Sequence, residues 1–106
     1  PYKGDDVLWN ALRLADTALA EGHTVRIFVM NDAVDITRTG SAPVGSEFDL
    51  GKMLLDLEKK GAEILLCTTC IQRCGIHKGN LINQKWPGGM KDLVRWTDEC
   101  DKVVTF

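Results

Sequence analysis

Helical and extended patterns alternate along this chain, and that alternation constrains its fold more than any other feature. Apolar residues recur at three- and four-residue spacing in some segments, whereas β-branched and aliphatic residues run together in the segments between them. This alternation predicts a parallel sheet with crossover helices in one α/β domain spanning residues 1–106. The predicted segments, in chain order, are helix 5–22, strand 24–30, helix 46–61, strand 62–67, helix 90–100 and strand 101–106.

The start of the chain departs from the usual order of such folds. A doubly wound sheet ordinarily opens with a strand, whereas this chain opens with a short loop and a helix. We therefore expect a first strand, within roughly ten residues, to precede Pro1 in the natural protein.

Three stretches lack a regular pattern. Thr37 to Gly45 is polar and rich in glycine, which predicts a long loop of the kind that often covers a binding site. The pattern from Gly75 to Lys85 is weak, and residues 87–89 (Pro-Gly-Gly) are expected to break the chain. Trp86 then lies in a loop that is predicted to be exposed. Three roles are open for it: it covers the site, it contacts another subunit, or it packs within the chain. Ser46, with Asp49 three residues on, is the predicted cap of the second helix.

Composition and charge exclude several classes of function. The formal net charge is -2 and no block of lysine or arginine occurs, so the chain lacks the basic surface of a nucleic-acid binder. No apolar run approaches the ~20 residues needed to span a bilayer, and no signal peptide is evident. Four cysteines in a chain with an ordinary aliphatic core favour redox, sulfur or metal chemistry in the cytoplasm over a secreted disulfide scaffold.

Three of these cysteines, Cys67, Cys70 and Cys74, fall within eight positions. Cys67 ends an apolar strand, so we expect its thiol at the carboxyl edge of the sheet, where open α/β folds bind ligands. A helix start directly after it would favour the thiolate, which is the reactive form. We therefore expect the sulfur of Cys67 to be reachable from solvent and Cys70, three residues on, to lie within reach of it.

Other polar residues are candidates for supporting roles. Thr68 and Thr69 can donate hydroxyl hydrogen bonds to sulfur, and Arg73 adds positive charge that favours a thiolate. Asp32 follows a predicted strand and is a candidate site residue at the same edge. Alternatively, Asp32 caps a short helical turn through Val34.

Three interpretations of the cysteine segment remain open from the residues alone. In the first, Cys67 carries a persulfide that a neighbouring or partner thiol takes, which requires no cofactor. In the second, Cys67, Cys70, Cys74 and His77 bind zinc, although structural zinc ligands usually form two separated pairs. In the third, the cysteines are small apolar packing residues, which is the expected role of Cys100.

The sequence resembles the DsrE/DsrF-like family, and especially its YchN-like branch. The resemblance covers nearly the whole chain and rests on the order and spacing of several motifs. These motifs are Asn-Ala-Leu-Arg-Leu-Ala (10–15), Asp-Ala-Val (32–34), Leu-Cys-Thr-Thr-Cys (66–70), Gly-Ile (75–76), Arg-Trp-Thr (95–97) and Asp-Lys-Val-Val-Thr-Phe (101–106).

The resemblance implies a three-layer α/β/α domain with a mainly parallel, five-stranded sheet that includes the strand expected before Pro1. It also implies a homo-oligomer, commonly a hexamer built as a trimer of dimers. In sulfur-relay members the cysteine at the position of Cys67 accepts sulfur as a persulfide, and YchN-like members also carry the second cysteine, here Cys70. One departure is that this chain has Cys74, preceded by Arg73, where the family tends to have arginine before Gly75.

Together these features predict a cytoplasmic sulfur-carrier or sulfurtransferase-like protein that exchanges sulfur with donor and acceptor proteins. In this prediction Cys67 attacks a donor persulfide, and Cys70 releases the sulfur by disulfide formation, with Cys74 as a further candidate for that step. Asp32 and Arg73 shape the pocket. The alternatives are a non-catalytic oligomeric regulatory module and a metal protein.

Overall fold

Helices and strands alternate through the two ranges that the computed structural model describes, residues 5–41 and 49–106. Two short 3₁₀ helices, Asn31–Thr37 and Lys78–Asn80, join them. The elements are α1 (Asp5–Ala20), β1 (Arg26–Val29), α2 (Leu50–Lys59), β2 (Glu63–Cys67), α3 (Thr68–Arg73), β3 (Pro87–Gly88) and α4 (Met90–Glu99).

The three described strands form an open parallel sheet in the order β1-β2-β3. The register of the first pair runs from Arg26 opposite Glu63 to Val29 opposite Leu66, and Leu66 lies opposite Pro87 in the second pair. Because parallel strands need crossover connections, the helices between them must cover the faces of the sheet.

Helices lie on both faces. On one face, the guanidinium of Arg26 lies 5.6 Å from the ring centroid of Trp96 in α4, and the ring of Phe28 meets Trp96 edge-on at 6.4 Å. On the other face, Ile64 and Leu66 belong to the buried cluster that includes the apolar side of α2. The arrangement fits the predicted three-layer α/β/α architecture.

The start of α2 is held close to the first 3₁₀ helix. Asp49 caps α2, because its carboxylate accepts the N–H of Lys52 at 3.1 Å. A β-carbon added to Gly51 would lie 2.6 Å from the carbonyl oxygen of Ile36, so only glycine permits this approach. The predicted cap, Ser46, lies outside the described residues, and the prediction was wrong because Asp49 fills that role.

The strand β3 corrects the prediction that residues 87–89 break the chain. Pro87 starts the strand, a position that needs no donated ladder hydrogen bond, and the N–H of Leu66 bonds the carbonyl of Trp86 at 2.9 Å. Trp86 is only 2% exposed, and its indole N–H donates to the carboxylate of Glu58 in α2 at 2.5 Å. Trp86 therefore packs within the chain, one of the alternatives that the sequence left open, and anchors β3.

The final segment, Asp101–Phe106, was predicted as a strand and has no regular structure. Its apolar side chains Val103, Val104 and Phe106 are all more than half exposed. The described strands pair with one another in the order β1-β2-β3, and none of them pairs with this segment. The prediction failed because a strand requires a partner as well as a suitable sequence.

The predicted loop from Thr37 to Gly45 is shorter than expected at its start. Thr37 is fully buried at the end of the first 3₁₀ helix, and its hydroxyl donates to the carbonyl of Val34 at 2.6 Å. Residues 42–45 lie outside the described ranges. None of the helices within those ranges has the length and apolar character needed to cross a membrane.

Candidate functional site

The two cysteines Cys67 and Cys70 meet where β2 gives way to α3. Cys67 is the last residue of β2 and occupies the cap position of α3 with extended backbone angles, φ -65° and ψ 111°. Its sulfur accepts the N–H of Cys70 at 3.4 Å, the bond that a serine or aspartate oxygen makes at an ordinary helix cap. The prediction that this thiol lies at the carboxyl end of a parallel strand is confirmed.

The environment of Cys67 differs from the prediction in two respects. Cys67 is only 4% exposed, so its sulfur does not stand open to solvent as expected. Burial raises the pKa of the Cys67 thiol, and a hydrogen bond to the Cys70 side chain raises it further. The main-chain amides of Cys70 and Thr69 lower this pKa by less, so the expected preference for a thiolate at Cys67 was wrong: desolvation outweighs the helix start.

Cys70 has a partly exposed side chain and a second main-chain donor. The N–H of Asn31 donates to the sulfur of Cys70 at 3.2 Å, although the two residues are 39 positions apart. Asn31 follows the end of β1 and has a φ of 56°, the only positive φ among the described residues other than glycine. The site therefore joins the carboxyl ends of two neighbouring strands.

The involvement of Asn31 was missed from the sequence. Its contribution is a main-chain N–H, which any residue except proline carries, so the type of residue gives no sign of this contact. The available signal was asparagine directly after a strand, because asparagine adopts the left-handed conformation more readily than most residues.

The threonines of the segment support the site through other contacts than those expected. The hydroxyl of Thr68 donates to the carbonyl of Gly88 at 2.8 Å, so it ties the start of α3 to β3 and does not donate to sulfur. The main-chain amide of Thr69 is the group that interacts with the sulfur of Cys67. Asp32 is exposed in the first turn of the 3₁₀ helix, directly after Asn31, so the helical turn weighed for this segment does occur, but Met30 holds its cap position.

Arg73 and Cys74 lie at the other end of α3 and are both exposed. The N–H of Cys74 donates to the carbonyl of Cys70 at 3.0 Å, the spacing of one helical turn. Cys74 is therefore about 6 Å along the axis from Cys70 on the same side of the helix. Arg73 and Cys74 are therefore three and four residues from Cys70 along the chain and are exposed to solvent.

The remaining cysteine and histidine candidates lie apart from the pair. Cys100 is partly buried at the end of α4, where it interacts electrostatically with Arg26 at the opposite end of β1. His77 is exposed before the second 3₁₀ helix. In residues 5–41 and 49–106, no three side chains of histidine, cysteine, aspartate or glutamate converge as a metal site would require, so the Cys67, Cys70, Cys74 and His77 set is not assembled.

Comparison with known proteins places the chain in a family. The family model described as DsrE/DsrF-like matches residues 1–106. The chain belongs to the DsrE/DsrF-like family. It is 38% identical to protein YchN of Escherichia coli over 109 aligned positions, covering the whole chain and 91% of YchN. It is also 34% identical to an uncharacterized protein of Methanopyrus kandleri, covering the whole chain and 86% of that protein. No solved structure matches it.

Membership in the DsrE/DsrF-like family indicates a role related to sulfur relay, while the names of these relatives specify no function. The geometry of this member suits such a role. Two thiols lie within hydrogen-bonding contact of one another, and each sulfur also accepts a main-chain N–H. Adjacent thiols of this kind can exchange with a persulfide or a disulfide.

Proposed function

We propose that this protein is a sulfur carrier that accepts sulfur as a cysteine persulfide and relays it to a partner thiol. The observation that supports this most is the Cys67–Cys70 pair at the carboxyl end of a parallel strand, in a member of the DsrE/DsrF-like family. One thiol can hold the incoming sulfur, and the second lies close enough to displace it. The pair can equally transfer the sulfur to a thiol on an acceptor protein.

The exposed residues around the pair suit contact with donor and acceptor proteins. Arg73 places a cation near the end of α3, and Asp32 places a carboxylate at the end of β1. These opposite charges would orient a partner and the sulfur-bearing segment that it presents. Cys74 offers a third thiol, one helical turn from Cys70, as an exit for sulfur or for disulfide exchange.

The proposal includes a homo-oligomer, commonly a hexamer in this family, in the cytoplasm. Large apolar side chains that are at least half exposed give the described surface material for subunit contacts. They are Val7, Leu14, Met90, Val94, Val103, Val104 and Phe106. All four cysteines are free, which suits a reducing compartment. Light scattering coupled to gel filtration tests the assembly, and a monomer at micromolar concentration would contradict it.

Intact-protein mass spectrometry after incubation with a low-molecular-weight persulfide tests the function. We expect the wild-type protein to gain about 32 Da, the mass of one sulfur atom, and to lose it on treatment with a dithiol reductant. The variant Cys67→Ser/Cys70→Ser should lose most of the adduct, with any remainder on the exposed Cys74, whereas Cys100→Ser, which removes a cysteine outside the site, should behave as wild type. A wild-type protein that forms neither an adduct nor a disulfide between Cys67 and Cys70 would contradict the proposed function.

A further inference from the structure

The two thiols of the pair differ in exposure and in the groups that support them, and this difference sets an order of reaction. We propose that Cys70 is the thiol that takes sulfur from the donor, that Asn31 is its positioning residue, and that Cys67 reacts second. This inference rests on the proposed function and reverses the roles that the sequence predicts for the two cysteines.

Access favours Cys70 as the first thiol. A donor persulfide must bring its outer sulfur into contact with the attacking sulfur, in line with the bond that breaks. Cys70 is partly exposed, whereas Cys67 is only 4% exposed. A protein-bound donor can therefore reach Cys70 without opening the fold.

The N–H of Asn31 supports the sulfur of Cys70 from outside α3. This donor lies 3.2 Å from the sulfur and belongs to the second residue after β1, so its position depends on the sheet. Asn31 holds a left-handed φ of 56°, which a residue other than glycine rarely adopts, so the backbone at this contact has a specific conformation. This N–H therefore holds the sulfur of Cys70 in a fixed position for its attack on a donor.

The environment of Cys67 suits the second step. The pKa of Cys67 is raised by burial and by its hydrogen bond to Cys70, so Cys67 stays protonated while Cys70 reacts. A protonated Cys67 can donate its S–H to the sulfur of Cys70 and carries the proton that a departing sulfur needs.

The two steps balance in atoms and electrons. In the first, the Cys70 thiolate bonds to the outer sulfur of the donor persulfide, the donor's S–S bond breaks, and the donor leaves as a thiolate. In the second, Cys67 bonds to the sulfur of Cys70, the outer sulfur leaves as hydrosulfide with the proton of Cys67, and two thiols become a disulfide. The outer sulfur is reduced, and a dithiol reductant restores the pair. An acceptor thiolate that attacks the outer sulfur first takes it without oxidising the pair.

Single serine variants of the two cysteines test the order. After incubation with a low-molecular-weight persulfide, we expect Cys67→Ser to keep and accumulate the adduct of about 32 Da and Cys70→Ser to lose it. Both cysteines fall in one tryptic peptide, residues 61–73, so fragment ions that separate them at Thr68 and Thr69 locate the adduct. An adduct lost in Cys67→Ser and kept in Cys70→Ser overturns the order while leaving the proposed function intact. A wild-type protein that forms neither the adduct nor the Cys67–Cys70 disulfide overturns the function itself.

Variants of Asn31 in the Cys67→Ser background test the positioning role. Asn31→Gly keeps the N–H and accepts a positive φ, whereas Asn31→Val keeps the N–H but resists that conformation and turns it away. We expect iodoacetamide to alkylate Cys70 about tenfold more slowly in Asn31→Val and at an unchanged rate in Asn31→Gly.

The readout is specific to one thiol. In the Cys67→Ser background, peptide 61–73 contains Cys70 as its only cysteine, and its mass reports the alkylation of that residue alone. A general loss of folding would speed alkylation of Cys70 toward the rate in urea, the opposite of the expected change. Equal alkylation rates in Asn31→Val and Asn31→Gly would overturn the positioning role.

Discussion

Two neighbouring regions of the molecule depend on different kinds of contact. The buried layer is the apolar packing between α2 and the sheet, and the thiol edge is the Cys67–Cys70 pair at the end of β2. The layer contains fully buried side chains such as Leu54, with the carboxylate of Glu58 fixing Trp86 at 2.5 Å. The edge depends on N–H to sulfur contacts of 3.2 Å and 3.4 Å at partly exposed backbone. The difference indicates that stability and thiol chemistry depend on separate contacts and can be changed separately.

The largest expected effect comes from opening a cavity in the buried layer. Leu54 in α2 is fully buried in the main cluster, so Leu54→Ala should lower the free energy of unfolding by about 2–5 kcal/mol. Urea unfolding measures the loss. The rate of Cys70 alkylation in the folded protein should stay within about twofold of wild type, because changes at separate sites have nearly independent effects. A change in this alkylation rate as large as that expected for Asn31→Val would show that the two regions are coupled.

A smaller loss is expected when the carboxylate that fixes Trp86 is neutralised. Glu58 accepts from the indole N–H of Trp86 and from the amide of Asn83, so Glu58→Gln should cost about 1–3 kcal/mol of stability. Asp56→Asn is the matched control, since it removes an exposed carboxylate from the same helix and should change stability by about 0.5 kcal/mol or less. Equal effects in the two variants, measured by urea unfolding, would show that the Glu58 contact adds nothing to a general charge effect.

The cap of α2 should contribute less again. Asp49→Ala removes the acceptor for the N–H of Lys52 and should lower the free energy of unfolding by about 1 kcal/mol. Asp49→Asn should retain most of that stability because asparagine is an equally good cap. Thermal unfolding of both variants provides the comparison, and an Asp49→Asn variant as unstable as Asp49→Ala would assign the effect to charge.

The smallest expected effect belongs to the thiol edge and is confined to alkaline solution. Since the pKa of Cys67 is raised in the folded state, the folded protein holds this proton more tightly than the unfolded chain. The associated stability is fully present below about pH 8.5 and is lost as the pH rises through the folded pKa. Urea unfolding at about pH 7 and about pH 10 should therefore show a larger decrease for wild type than for Cys67→Ser. Equal decreases would mean that this thiol is not buried in solution.

Elements with strong local patterns could be predicted from the sequence. Helices α1 and α4 follow the apolar periodicity closely, and β2 needs only its continuous apolar run. The position of Cys67 at the end of β2 and the proximity of Cys70 followed from their place in that pattern. These features depend on residues close together in sequence.

Features set by distant partners were missed. The strand β3 consists of proline and glycine, which locally favour a break, and it forms because β2 lies beside it. The segment 101–106 has a strand-like sequence but no described neighbour, so it forms no strand. The burial of Cys67 and the donor at Asn31 likewise depend on how β1 and β2 pack together, which spacing within one segment cannot reveal.

One strand links two properties of the molecule. Among the described residues, β1 bonds to a neighbour along one side only, and the amide that holds Cys70 comes two residues after its end. A polypeptide that paired with the other side of β1 would shift or stiffen this strand. It would thereby change the hydrogen bond from the N–H of Asn31 to the sulfur of Cys70. Assembly at the open side of β1 and the reactivity of the Cys70 thiol would then vary together, because β1 contributes to both.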